Sequence, residues 1–198
     1  MIQSPLFRRV LISSAMALML GACVSFGAKA PPSMLVLTAA NSVASGATSS
    51  ANASDALIVL MPQAPRKLDT NRVPVQIDDS SIAYLKDAVW ADKPARLLQL
   101  LLMETISSKT GKLVLNEVDA GGKAQQYLSG NLLEFGVDAS AMEAVIVYDA
   151  VKLTRGKIIE KRRFEARRAM TRLEAAPAGI ALNDAANDVA MQIAQWIG

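Results

Sequence analysis

The segment that most limits what this chain can fold into lies at its start. A basic pair, Arg8-Arg9, precedes an apolar run from Val10 to Leu20, which ends in Gly21-Ala22 and then Cys23. A basic start, a short apolar stretch and small residues at its end describe a secretory signal. The run is about half the ~20 residues that a helix needs to cross a bilayer. It therefore reads as the core of a signal that is cut away, outside the fold. Removing residues 1–22 from the 198 leaves 176, which suits one domain with a proper core plus some linker.

The stretch Leu20-Gly21-Ala22-Cys23 resembles the lipobox of bacterial lipoproteins. The resemblance implies that the Cys23 thiol receives a diacylglyceryl group, that the Ala22–Cys23 bond is cut, and that the new amine is acylated. Cysteine arithmetic agrees. Cys23 is the sole cysteine, so an exported chain has no internal disulfide to make, and lipidation consumes the thiol. Each buried methylene contributes roughly 0.8 kcal/mol, and two or more acyl chains suffice for stable anchoring without a spanning helix. Val24 follows the cysteine, where enterobacterial lipoproteins kept at the inner membrane carry Asp. By that resemblance the expected location is the periplasmic face of the outer membrane.

Cleavage also alters the charge. The full chain has 21 basic and 18 acidic residues, a net of +3; loss of Arg8 and Arg9 with no acid lowers it to +1. So small a surplus gives no reason to expect nucleic acid.

Residues 23–33 read as a tether and 34–198 as the domain. Met34 to Thr38 is a candidate strand. Residues 39–54 are almost all Ala, Ser, Asn, Thr and Gly, a composition that buries too little surface to offset chain entropy, and a mobile loop is expected. Ala56 to Met61, ended by Pro62, is a buried strand. Arg66 to Ile77 looks extended, with Pro74 suggesting a sheet edge. Asp92 caps a leucine-rich helix that carries Pro94 in its first turn and stops at Gly111. Leu113 to Leu115 and Tyr127 to Val137 flank Asp119-Ala120-Gly121-Gly122 and are expected to form a hairpin. Ala144 to Leu153 and Lys157 to Ala166, around Thr154-Arg155-Gly156, make a second. Leu182, Ala186, Val189, Ile193 and Trp196 then form one apolar helical stripe. The pattern predicts an α+β domain, with two helices packed on a mostly antiparallel sheet.

The chemistry of enzymes is thinly represented. There is no histidine, which removes Ser-His-Asp and Cys-His arrangements and the usual zinc ligands. No phosphate loop or dinucleotide fingerprint occurs, and Gly121-Gly122 reads as a turn. Asp78-Asp79 and Glu117/Asp119 are conceivable acid/base pairs, but they lie beside turn residues, where solvated carboxylates are the rule. The expectation is a non-enzymatic protein without metal or cofactor beyond the lipid on Cys23. One charge feature stands out. Lys157, Lys161, Arg163 and Arg167 share one face of the last strand, while Ile158, Phe164 and Ala166 share the other. Such a face is ordinarily just solvated, and its functional alternative is contact with anionic lipid or an acidic partner.

The order of several segments resembles the auxiliary lipoproteins of ABC-type transport systems, which accompany mammalian-cell-entry-type lipid transporters. The segments are Leu57 to Met61 with Pro62, Leu68 to Val73, Ile82-Ala83-Tyr84 leading to Val89-Trp90-Ala91-Asp92, Leu128 to Leu132 ahead of Phe135, and the final helix with Ile193 and Trp196. The resemblance covers about Met34 to Gly198. It implies a non-catalytic component that docks a mammalian-cell-entry-domain protein and its ABC permease and ATPase at the membrane, with an oligomeric ring among the arrangements it allows. Two expectations compete with it: a lipoprotein that binds and assembles lipopolysaccharide, and a degenerate hydrolase, against which the missing histidine argues.

Overall fold

Leu57-Ile58-Val59, an apolar run with no polar face to offer water, forms the fully buried strand β1 (Leu57–Val59). The computed structural model describes residues 33–52, 54–119, 124–154 and 159–198. After β1 come a 3-10 turn at Arg66–Leu68, β2 (Arg72–Gln76), β3 (Ile82–Val89), helix α1 (Pro94–Thr110), β4 (Val114–Leu115), β5 (Gln126–Asp138), β6 (Glu143–Thr154), β7 (Ile159–Ala169) and helix α2 (Ala175–Ile197).

The expected α+β domain with two helices is present, but its sheet is mixed. β5 is the spine. Along one edge it pairs antiparallel with β6, which carries β7 antiparallel beyond it. The other edge is shared end to end. β1 pairs parallel with Gln126–Leu128, and β2 pairs parallel at Val137 and Asp138. β4 lies parallel outside β1, and β3 antiparallel outside β2.

Two expectations are thereby corrected. The strands on either side of residues 119–122 are not hairpin partners, because β1 lies between β4 and β5. A strand with apolar residues on both faces is best hidden with a neighbour on each side, and that slot outcompetes a local hairpin. Nor does Pro74 mark an edge, since β2 has partners on both sides. Its ladder to β5 uses Val75 and Gln76, so the amide that proline lacks is not required there. Pro74 packs against Gly136, where a Cβ would collide with it.

The inward sides of β5, β6 and β7 present Leu128, Leu132, Phe135, Ile146, Tyr148 and Phe164 to Leu98, Leu102, Ile106, Leu182, Val189 and Ile193 of the helices. Trp90 stacks on Phe135 with ring centroids 5.1 Å apart. Helix α1 begins with Pro94 and closes at Gly111, whose φ of +69° is the left-handed turn that glycine favours. Its N-cap is Lys93, not Asp92; the Asp92 carboxylate instead accepts from the Lys93 amide at 2.6 Å.

Met34 to Thr38 pairs with the sheet at one point, a bridge from Leu35 to Trp90. The chain then crosses the helices as a strap. Asn183 Oδ1 accepts from the Thr38 amide at 2.8 Å, Asn187 Oδ1 from Ala40 at 2.7 Å, and Glu104 Oε1 from Val43 at 2.6 Å. Asn187 also donates to the Thr38 carbonyl. Helix side chains thus take the place that a strand partner would fill.

Candidate docking face

Both helices lie on one side of the sheet. The opposite side carries no covering element among the described residues, and its character follows from strand alternation. On β6 the inward residues are Ala144, Ile146, Tyr148 and Ala150, which leaves Val145, Val147 and Asp149 outward. The hairpin register sets Val145 opposite Arg167, Val147 opposite Glu165, Asp149 opposite Arg163 and Val151 opposite Lys161. Three of the four sequence-predicted cations, Lys161, Arg163 and Arg167, accordingly share this face. Lys157 lies outside the described residues.

These cations are engaged by carboxylates. Arg163 grips Asp149 with two bonds, Nε to Oδ1 at 2.6 Å and Nη2 to Oδ2 at 3.0 Å, and Lys161 Nζ adds a third contact at 3.1 Å. Asp149 is only 5% exposed. The hydrogen bond from Arg163 holds its carboxyl down at about 2, against the burial that would raise it. Arg167 meets Glu165 at 2.7 Å and Glu143 at 3.6 Å. None of these acids was singled out from sequence. The signal was available in the spacing: Asp149 and Arg163 lie equally far along the sequence from Gly156 of the expected turn, and they are paired in the ladder.

Beside this network an open groove of about 390 Å³ is floored by Gly136 and Val145 and walled by Lys67, Glu134, Ile82 and Arg167. Lys67 Nζ bonds both Glu134 oxygens, so that part of the wall is an ion pair. Among the described residues the outer edge of β7 has no strand partner. It is a long strand edge guarded by charged side chains, as exposed edges in stable proteins commonly are.

The other candidates resolve into structure. Asp78 accepts from the Ser80 amide and hydroxyl at 2.9 Å, which holds its carboxyl low and builds the β2–β3 turn. Asp119 pairs with Asn116 in a loop. Tyr84 lies under the Arg72 guanidinium at 4.4 Å, and Trp196 packs on Phe164 at 5.6 Å. Trp90 is fully buried. No group of three or more potential metal ligands occurs among the described residues, and no helix there is long and apolar enough to cross a membrane. Cys23 lies outside them.

A family model described as "ABC-type transport auxiliary lipoprotein component" matches residues 36–194. The fold is similar to a crystal structure of a Xanthomonas campestris protein of the DUF330 family, with a TM-score of 0.68 at 18% identity over 83% of this chain and 94% of that one. A crystal structure of an uncharacterized protein is also similar, with a TM-score of 0.63 at 20% identity over 73% of this chain and 93% of the other. No curated protein matches the sequence.

Proposed function

Because the chain belongs to the family of ABC-type transport auxiliary lipoprotein components, we propose that it is the non-catalytic docking component of a mammalian-cell-entry-type lipid transport system. In this reading Cys23 carries the lipid that holds the protein at the periplasmic face of the outer membrane. The folded domain receives the mammalian-cell-entry-domain protein that leads to the permease and ATPase. The chain itself moves no lipid and breaks no bond, in keeping with a sequence that has no histidine.

One observation carries the proposal. Among the described residues the helices cover one side of the sheet, and the other side, with the β7 edge beside it, has no covering element that would exclude a partner. Ion pairs between exposed side chains, such as Arg167 with Glu165, are worth about 0–1 kcal/mol each, so a partner can exchange those for its own at little cost. They fix register and choice of partner more than affinity. Direct binding of lipopolysaccharide would ask for cations free to meet phosphates, whereas Lys161, Arg163 and Arg167 already face carboxylates. We therefore favour a protein partner.

The test is co-purification of the mammalian-cell-entry-domain protein from solubilised membranes. Lys161→Glu and Arg167→Glu reverse exposed cations without stranding Asp149, which Arg163 still holds. Both should weaken capture while Arg167→Lys retains it. Capture unchanged by either reversal would remove this face as the docking surface.

A further inference from the structure

The strap enters the fold through an apolar notch on the helix side. Met34, Val36 and Ile180 are 58%, 54% and 67% exposed. They line one shallow groove of about 320 Å³ with Leu35, Ala176 and Gly179. The arrangement depends on Gly179: a Cβ there would come within 2.7 Å of Leu35, so its absence lets Leu35 seat against α2. Met34 and Val36, on either side of that anchor, stay in solvent. Exposed apolar residues scattered singly need no explanation, but a contiguous patch does. Met61 and Ile82, also exposed, line other grooves singly.

The position of the patch names its occupant. Met34 is eleven residues from Cys23, and even a fully extended chain of that length spans at most about 40 Å. With acyl chains on Cys23, the patch is held within that distance of a bilayer. Asp184 is the one charged residue among the described residues that line it, so what they offer a bilayer is apolar contact and not cations for anionic headgroups.

We propose that Met34, Val36 and Ile180 form a second membrane contact, resting in the interface of the bilayer that holds the lipid of Cys23. The proposal rests on that lipid anchor. Apolar faces of this kind settle about 5–10 Å into the boundary between headgroups and acyl chains. The contact would also set orientation. With the helix layer against the bilayer, the uncovered side of the sheet points away from it, toward whatever approaches from the periplasm.

The test uses the protein as extracted from cell membranes, reconstituted in phosphatidylcholine vesicles whose acyl chains carry bromine at graded depths. Tryptophan is introduced by Ile180→Trp in the patch or by Ile159→Trp, an exposed position at the start of β7. The proposal expects bromine to cause a loss of emission for Ile180→Trp beyond that of the parent protein, strongest for the shallow positions and unaltered by salt. Ile159→Trp should show none. An Ile180→Trp signal indifferent to bromine overturns the proposal, whether the patch is filled by a second copy or by the tether itself. The mass of the N-terminal peptide separates the two claims. Acyl mass on Cys23 without quenching removes the patch alone; quenching without acyl mass removes the Cys23 anchor and keeps the patch.

Discussion

At the scale of single residues, the centre of the outward face is Asp149. A carboxylate at 5% exposure survives because Arg163 and Lys161 together supply the hydrogen bonds that water would otherwise provide. Its carboxyl sits at about 2, below the ordinary 3.8. The folded state therefore binds this proton less readily than the unfolded chain does. The resulting stability is fully present above pH ~4 and is lost as pH falls through about 2. Both cations are more than half exposed, so solvent screening trims the contribution to roughly 1–2 kcal/mol. Asp149→Asn should be less stable than the parent by that amount in urea unfolding at pH 6, with the gap narrowing as pH drops toward 2. A gap independent of pH would mean that the carboxylate is not the source. Tyr148, on the opposite parity, shows the cost the inward side accepts instead. Its hydroxyl is buried without a partner, and burial pushes its phenol upward.

At the scale of elements, legibility tracked periodicity. Both helices and the β6–β7 hairpin were readable because each rests on a local pattern: leucines at helical spacing, or alternation on either side of a Gly-containing turn. What sequence did not reveal was non-local. The insertion of β1 between β4 and β5 joins segments that no short-range signal relates. β3 is not legible as a strand because its run lacks alternation: Leu85 and Ala88 are buried, Lys86 and Asp87 exposed, and Asp87 has a φ of +57°. The strap is another such case. Residues 38–43 carry no apolar pattern of their own, and their order comes from Asn183, Asn187 and Glu104 on distant helices. Asn187→Ala removes one acceptor and one donor to the strap, worth roughly 1–3 kcal/mol for two hydrogen bonds at 0.5–1.5 each. Limited proteolysis should then cut within residues 38–47 sooner than in the parent, while the β6–β7 hairpin stays resistant. Equal cleavage rates would show that these bonds do not hold the strap.

At the scale of the whole molecule, the layers divide the work. Among the described residues the helices and strap occupy one side of the sheet, and the other side carries a network of ion pairs beside the outer edge of β7. The α+β class was legible from the sequence, as was the family through the order of its segments. The mixed topology and the acids that neutralise the basic strand were not, because both depend on register between strands. The proposed docking surface for the transporter is the uncovered sheet side. A photo-reactive residue at Glu165, on the outward face of β7, is compared in cells with one at Leu100, an exposed position on α1. If the transporter docks there, Glu165 captures a subunit of the transport system and Leu100 does not. Capture from Leu100 with none from Glu165 would contradict it.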